Sequence, residues 1–142
     1  MRFLMMVKAS RRSEAGEMPD EKMIATMMKY NEELQKAGVL IDLAGLRPSS
    51  AGVRIKFSNG KSTVVEGPFA NPEGLVAGYW LIRVNSKAEA IDWARRCPPP
   101  HGEGADAEIE LRQLFELDDF EPSASIDAAR RLEQDLAQGN ER

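Results

Sequence analysis

This chain of 142 residues has one cysteine, one histidine, only 6% aromatic residues and no long apolar run. Each shortage removes a class of protein. Cys97 has no second cysteine to pair with, so no intramolecular disulfide forms, and a reducing, cytoplasmic setting is expected. A lone His101 makes no metal site. A membrane-spanning helix needs about 18 or more consecutive apolar residues, and no such run exists. The opening MRFLMMVKASRR holds a short apolar stretch but neither the h-region nor the small-residue cleavage site of a signal peptide, so none is expected. Basic charge is also short: 19 Lys and Arg stand against 23 Asp and Glu, a net charge of −4. That excludes a general nucleic-acid binder, which would need a basic face, but leaves room for a small anion in a local basic pocket. There is no glycine-rich phosphate loop, no Ser-His-Asp order and no CxxC. Nothing points to a flavin, nicotinamide or haem, and no cofactor is expected.

What is present is a globular composition, 42% hydrophobic and 30% charged, in a chain long enough for one core. Residues 2–8, RFLMMVK, read as a strand apolar on both faces, the kind that lies inside a sheet. SRRSEAGE reads as a polar loop. A helix is predicted to start at Pro19, with Asp20 and Glu21 in its first turn, Met23, Met27, Tyr30 and Leu34 on one side and Gly38 just past its end. Residues 39–46 form a second strand. A hairpin follows, turned at Asn59-Gly60, which sets Ile55 opposite Val64 and Val53 opposite Glu66.

The most informative stretch is residues 64–84. Gly67-Pro68 is expected to reverse the chain through a positive φ at the glycine. The strand at 77–84 turns Trp80, Ile82 and Val84 one way and Tyr79, Leu81 and Arg83 the other. Ser86 to Glu89 fits a capping box for a second helix, which Pro98-Pro99-Pro100 ends. A last strand at 107–115 places Ile109, Leu111 and Phe115 on one face and Glu108, Glu110 and Arg112 on the other. Residues 1–120 thus make one domain, and 121–142 an extension, either helical with a narrow Leu132–Leu136 stripe or frayed. Strand, helix, strand, hairpin, strand, helix, strand defines an α+β domain of the ferredoxin-like kind: an antiparallel sheet with helices on one face.

These residues resemble the YCII-related (DGPF) family. The likeness is carried by Glu66-Gly67-Pro68-Phe69-Ala70, Gly78-Tyr79-Trp80, Ala90-Ile91-Asp92-Trp93, Arg96-Cys97-Pro98 and Glu108-Ile109-Glu110-Leu111-Arg112. Tyr30 to Leu34 and Gly45-Leu46-Arg47-Pro48 extend it over residues 1–120. The resemblance implies a dimer built by sheet-to-sheet packing into an α/β-barrel-like assembly, and no single reaction. Some relatives look like small-molecule enzymes and some occur beside sigma-factor genes. Here the family's acidic Glu-Thr-Lys-Glu run is replaced by Asn71-Pro72-Glu73-Gly74. The His-Asp pair of the shorter relatives has no histidine to match it on the first helix.

Candidate site residues follow. His101 is either a general base or a plain loop residue. Cys97 is either a nucleophile, its pKa lowered by Arg95 and Arg96, or a small buried filler. Glu66 and Glu73 bracket the turn loop and could share acid/base work, or merely cap the turn and sit in water. Phe69 and Asn71 stand in the same loop. Arg47, Arg83 and Arg112 are candidate cations for a carboxylate or phenolate ligand, or ordinary interface ion pairs. Tyr79, Arg83 and Arg112 would line a cavity between paired sheets. Met5, Met6, Met23, Met27 and Met28 are expected in the core. The leading expectation is a small-molecule-binding homodimer without strong catalysis, taking a small anionic or aromatic ligand. The alternatives are a cofactor-free enzyme on a small aromatic or lactone-like substrate and an accessory partner in transcription control.

Overall fold

The structure, a computed structural model, describes residues 1–140; positions 141–142 of the C-terminal extension lie outside them. Its elements run β1 (Arg2–Lys8), α1 (Arg11–Glu14), α2 (Glu21–Lys36), β2 (Leu40–Gly45), β3 (Val53–Ser58), β4 (Lys61–Glu66), β5 (Val76–Arg83), α3 (Lys87–Arg95), β6 (Ile109–Gln113) and α4 (Ala124–Asn140). Among the described residues this is an α+β fold with two antiparallel sheets and no closed barrel. The larger sheet has the order β2-β5-β1-β6; the smaller is the β3–β4 hairpin.

β1 lies between β5 and β6, as its two apolar faces require. Its inner side chains Phe3, Met5 and Val7 are buried, while Leu4, Met6 and Lys8 on the other face are half-buried. β5 alternates in phase: Trp80 and Ile82 are buried, Tyr79 and Leu81 half-buried. One core forms where Tyr30 and Leu34 of α2 and Ala90 and Trp93 of α3 close over this inner face. Two hydrogen bonds satisfy its polar atoms: Tyr30 Oη donates to Trp93 O at 2.6 Å, and Trp80 Nε1 to Asn31 Oδ1 at 2.7 Å. The rings of Tyr30 and Trp80 meet edge to face with centroids 5.5 Å apart.

The hairpin register places Ile55 opposite Val64 and Val53 opposite Glu66, as its Asn-Gly turn dictates. Elsewhere local chemistry shifts the expected boundaries. Ser10 and Ser13 cap each other's backbone N–H groups at 3.1 and 2.9 Å, so the stretch expected as loop contains α1. Asp20 is the N-cap of α2 rather than part of its first turn, because its carboxylate accepts from Met23 N at 2.8 Å. Gly38 has φ +74° just past the helix, as expected. Glu89 reaches back to Asn85 N instead of Ser86 N. β6 stops at Gln113, which leaves Phe115 75% exposed instead of on the core face. Of the methionines expected in the core, Met5 is there and Met27 packs against it, but Met28 is half exposed.

Gly67 is a correction of mechanism. Its φ is not positive; it precedes Pro68 through a cis peptide bond. Glycine is needed because a Cβ there would stand 1.8 Å from Ser49 O. The positive φ in this region belongs to Asn71, at +64°.

Candidate functional site

A hollow of about 670 Å³ opens beside the core where four segments meet. The end of β1 and the start of β5 supply Val7, Ala77 and Gly78. The Ser10–Met18 segment forms one side, the first turns of α2 the second, and the loop Pro98–Glu103 the third. Met23 and Met27 recur at a spacing of four on α2 and so share one face. The three prolines leave α3 stiffly and carry His101 back across the sheet end. There His101 Nε2 lies 2.7 Å from Lys8 O. A carbonyl oxygen only accepts, so Nε2 donates, and the lone pair of the neutral ring is on Nδ1. Gly102, at φ +98°, closes the loop over Met23, whose Cε would be 3.8 Å from a Cβ there.

Charges around the hollow are already engaged or in water. Arg12 Nε pairs with Glu17 Oε2 at 2.6 Å, and Asp20 holds the N-terminus of α2. Thr26 Oγ1 donates to Lys22 O at 2.8 Å. Lys22 has no ion-pair partner among the described residues. A second hollow of about 300 Å³ continues along α2 and shares Pro19, Met23, Met27 and Pro100 with the first. Together they make a groove with a polar end at Ser10, Ser13, Lys22 and His101 and an apolar end at Ile24 and Met28.

The residues singled out in the sequence fall in four places. His101 lines this groove beside Met23 and Met27; the other candidate ligand-binding and acid/base residues do not. Glu66, Phe69, Asn71 and Glu73 lie at the base of the hairpin. There the Arg54 guanidinium stacks 3.8 Å above the Phe69 ring, while Glu66, Asn71, Glu73 and Arg47 are exposed. Tyr79, Arg83 and Arg112 are on the face of the sheet opposite the helices, as their parity predicts: β1 pairs Arg2 with Arg83, Leu4 with Leu81 and Arg112, and Met6 with Tyr79. On that face Tyr79 Oη is 3.3 Å from Asp42 Oδ2, and Arg112 is 3.5 Å from Glu110. Arg2 forms a two-pronged pair with Glu116 at 2.9 and 3.0 Å, which holds the Glu116 carboxyl below its ordinary pKa and raises that of Arg2. The surroundings of Cys97 match the small buried filler rather than an activated thiol. It is half-buried against the core, and burial pushes its pKa up to about 12, the opposite of what adjacent arginines suggested.

Serines 10 and 13 and Lys22 do not stand out in the sequence, and the proline exit after the second helix shows there only as a stop, not as a loop folded back over the sheet end. The one signal for that loop was the Pro-Pro-Pro-His-Gly run, which fixes where a histidine leaves a helix.

By fold and site, the chain is a small α+β protein with an adaptable, methionine-floored groove at the end of its sheet. It belongs to the YCII-related domain family, which matches residues 1–115. It is similar to an uncharacterised protein of Rhizobium meliloti strain 1021, at 33% identity over 76 residues, covering 54% of this chain and 61% of that protein. Among the described residues no helix is long and apolar enough to cross a membrane.

Proposed function

We propose that this YCII-related protein binds a small amphiphilic molecule, an apolar or aromatic body with an anionic head, and does so without strong catalysis. The observation that carries the reading is the continuous groove along α2, floored by Met23 and Met27 and ended by His101, whose ring is anchored to Lys8 O. Methionine side chains are flexible and polarizable, and suit a ligand body of variable shape. Lys22 and the Ser10 hydroxyl provide donors at that same polar end, while the Ser13 hydroxyl donates to Ser10 O at 3.0 Å. The strand order β2-β5-β1-β6, with the hairpin set aside, supports a ferredoxin-like domain. The half-buried Leu4, Met6, Tyr79 and Leu81 support a homodimer closed through that open sheet face. An unpaired, half-buried Cys97 accords with the cytoplasm.

A second reading, a cofactor-free enzyme, draws on the unprotonated Nδ1 of His101 as a general base. The test for both is a titration with 2-naphthoate, followed on protein labelled at the methionine methyl groups. Binding in the groove shifts Met23 and Met27 and leaves Met5 unmoved. Shifts confined to Met6, on the opposite face, would refute the groove and favour a pocket between paired sheets. Turnover of an aryl ester or lactone that His101→Gln abolishes would establish the enzyme instead.

A further inference from the structure

Two apolar surfaces of this chain stand open at once. One face of the β3–β4 hairpin carries Val53, Ile55, Phe57 and Val64, between 51% and 82% exposed. Helix α4 carries Leu132 and Leu136, at 59% and 60%. A two-stranded hairpin alone is marginal in water, and a helix draws most of its stability from packing its apolar stripe. Because both surfaces are bare in the same copy, they do not cover each other within it.

Their charges are opposite. The hairpin holds Arg54, Lys56 and Lys61 against Glu66, and Arg54 is engaged with Phe69. Residues 116–135 hold seven carboxylates and two arginines, of which Arg130 is paired with Asp118 at 2.5 Å. With 3.6 residues per turn, Glu133 and Asp135 fall on either side of the Leu132–Leu136 stripe. Lys56 and Lys61 are on the hairpin face opposite its apolar residues, but long lysine stems reach round the edge of a two-stranded ribbon. The family match ends at residue 115, ahead of α4.

We infer that, in the homodimer proposed above and resting on that reading, the second half of α4 lies across the apolar face of the partner's β3–β4 hairpin, and reciprocally. Lys56 and Lys61 then meet Glu133 and Asp135 across the contact. The exchange is isologous and closes on itself as a two-fold dimer.

The test is cysteine cross-linking of the full chain in a Cys97→Ala background. Copies carrying Leu136→Cys are mixed with copies carrying Ile55→Cys and mildly oxidised, with Asp106→Cys as control partner, while light scattering reads the mass. The expected result is a mixed disulfide dimer at least tenfold above the control. A second arm adds Lys56→Glu and Lys61→Glu, which should lower that yield about tenfold, with recovery on Glu133→Lys and Asp135→Lys. A dimer by mass with no mixed disulfide above control overturns the exchange and leaves the dimer standing. Links between two Leu136→Cys helices in its place, or a link inside single chains bearing both cysteines, overturn it as well. A monomer at every concentration removes the dimer and the exchange together.

Discussion

Gly67 is the position where one added carbon should do the most damage. Its Cβ would stand 1.8 Å from Ser49 O and 2.7 Å from Ser49 C, both backbone atoms with no rotamer to yield. Ser49 is also a junction. Its backbone N donates to Glu14 Oε1 at 3.0 Å, its hydroxyl donates to Glu14 Oε2, and that same hydroxyl accepts from Phe69 N at 2.9 Å. Moving Ser49 therefore strains the bonds that tie α1 to the base of the hairpin. A hydrogen bond to a charged group is worth about 1.5–3 kcal/mol, and overpacking typically costs about 1–3 kcal/mol. A loss near 3 kcal/mol is expected for Gly67→Ala, which is roughly a 10 °C fall in Tm for a chain of this size. The control is Gly38→Ala. Gly38 has φ +74° and open space around its Cβ, so its cost comes from backbone conformation alone, about 1–2 kcal/mol. Calorimetry and urea unfolding of the two variants decide the matter. If Gly67→Ala melts at or above Gly38→Ala, close approach is not what selects glycine at residue 67.

Two further outcomes follow from the same geometry. Burial raises the pKa of Cys97 to about 12 from 9.0, and also raises that of Tyr30, whose hydroxyl donates to Trp93 O. For an acid with a raised folded pKa, the stabilisation is present below the unfolded value and lost as pH rises through the folded one. Stability should therefore be flat up to about pH 9 and decline toward pH 12, and Cys97→Ala should flatten that decline in urea titrations; an unchanged alkaline slope refutes the assignment. His101→Ala should free the 98–104 loop. Exchange of the Gly102 and Ala105 amides, which donate to Pro99 O and Gly102 O, should then rise about tenfold, for about 1.4 kcal/mol of lost anchoring. Unchanged protection would mean that the Lys8 bond does not hold the loop.

The sheet was legible because its signals are local and of period two. RFLMMVK has no polar face, so it belongs between two strands, and β1 lies between β5 and β6. Asn59-Gly60 fixed the hairpin register to the residue. What stayed hidden depends on groups far apart in sequence. Gly67 is explained by Ser49, and nothing in Gly67-Pro68 announces a carbonyl waiting there. α1 is one turn held by two serines, too short to show a helical period. The groove joins residues 7 to 31 with residues 77 to 78 and 98 to 103, so no window along the chain displays it; only the stiff proline exit pointed toward His101.

The division of polar groups among three places is what favours the proposed binding reading over the catalytic one. Acid–base chemistry needs a base and a desolvated acid within reach of one reacting atom. The base that the fold anchors is His101, yet Glu66 and Glu73 lie at the hairpin base, outside the groove. The carboxylates that do line it are exposed, and two have other tasks: Glu17 holds Arg12, and Asp20 caps α2. What the groove offers is a stiff proline wall, two adaptable methionines and a few donors at one end. On the proposed reading, those groups select a ligand by its shape and by its charged head.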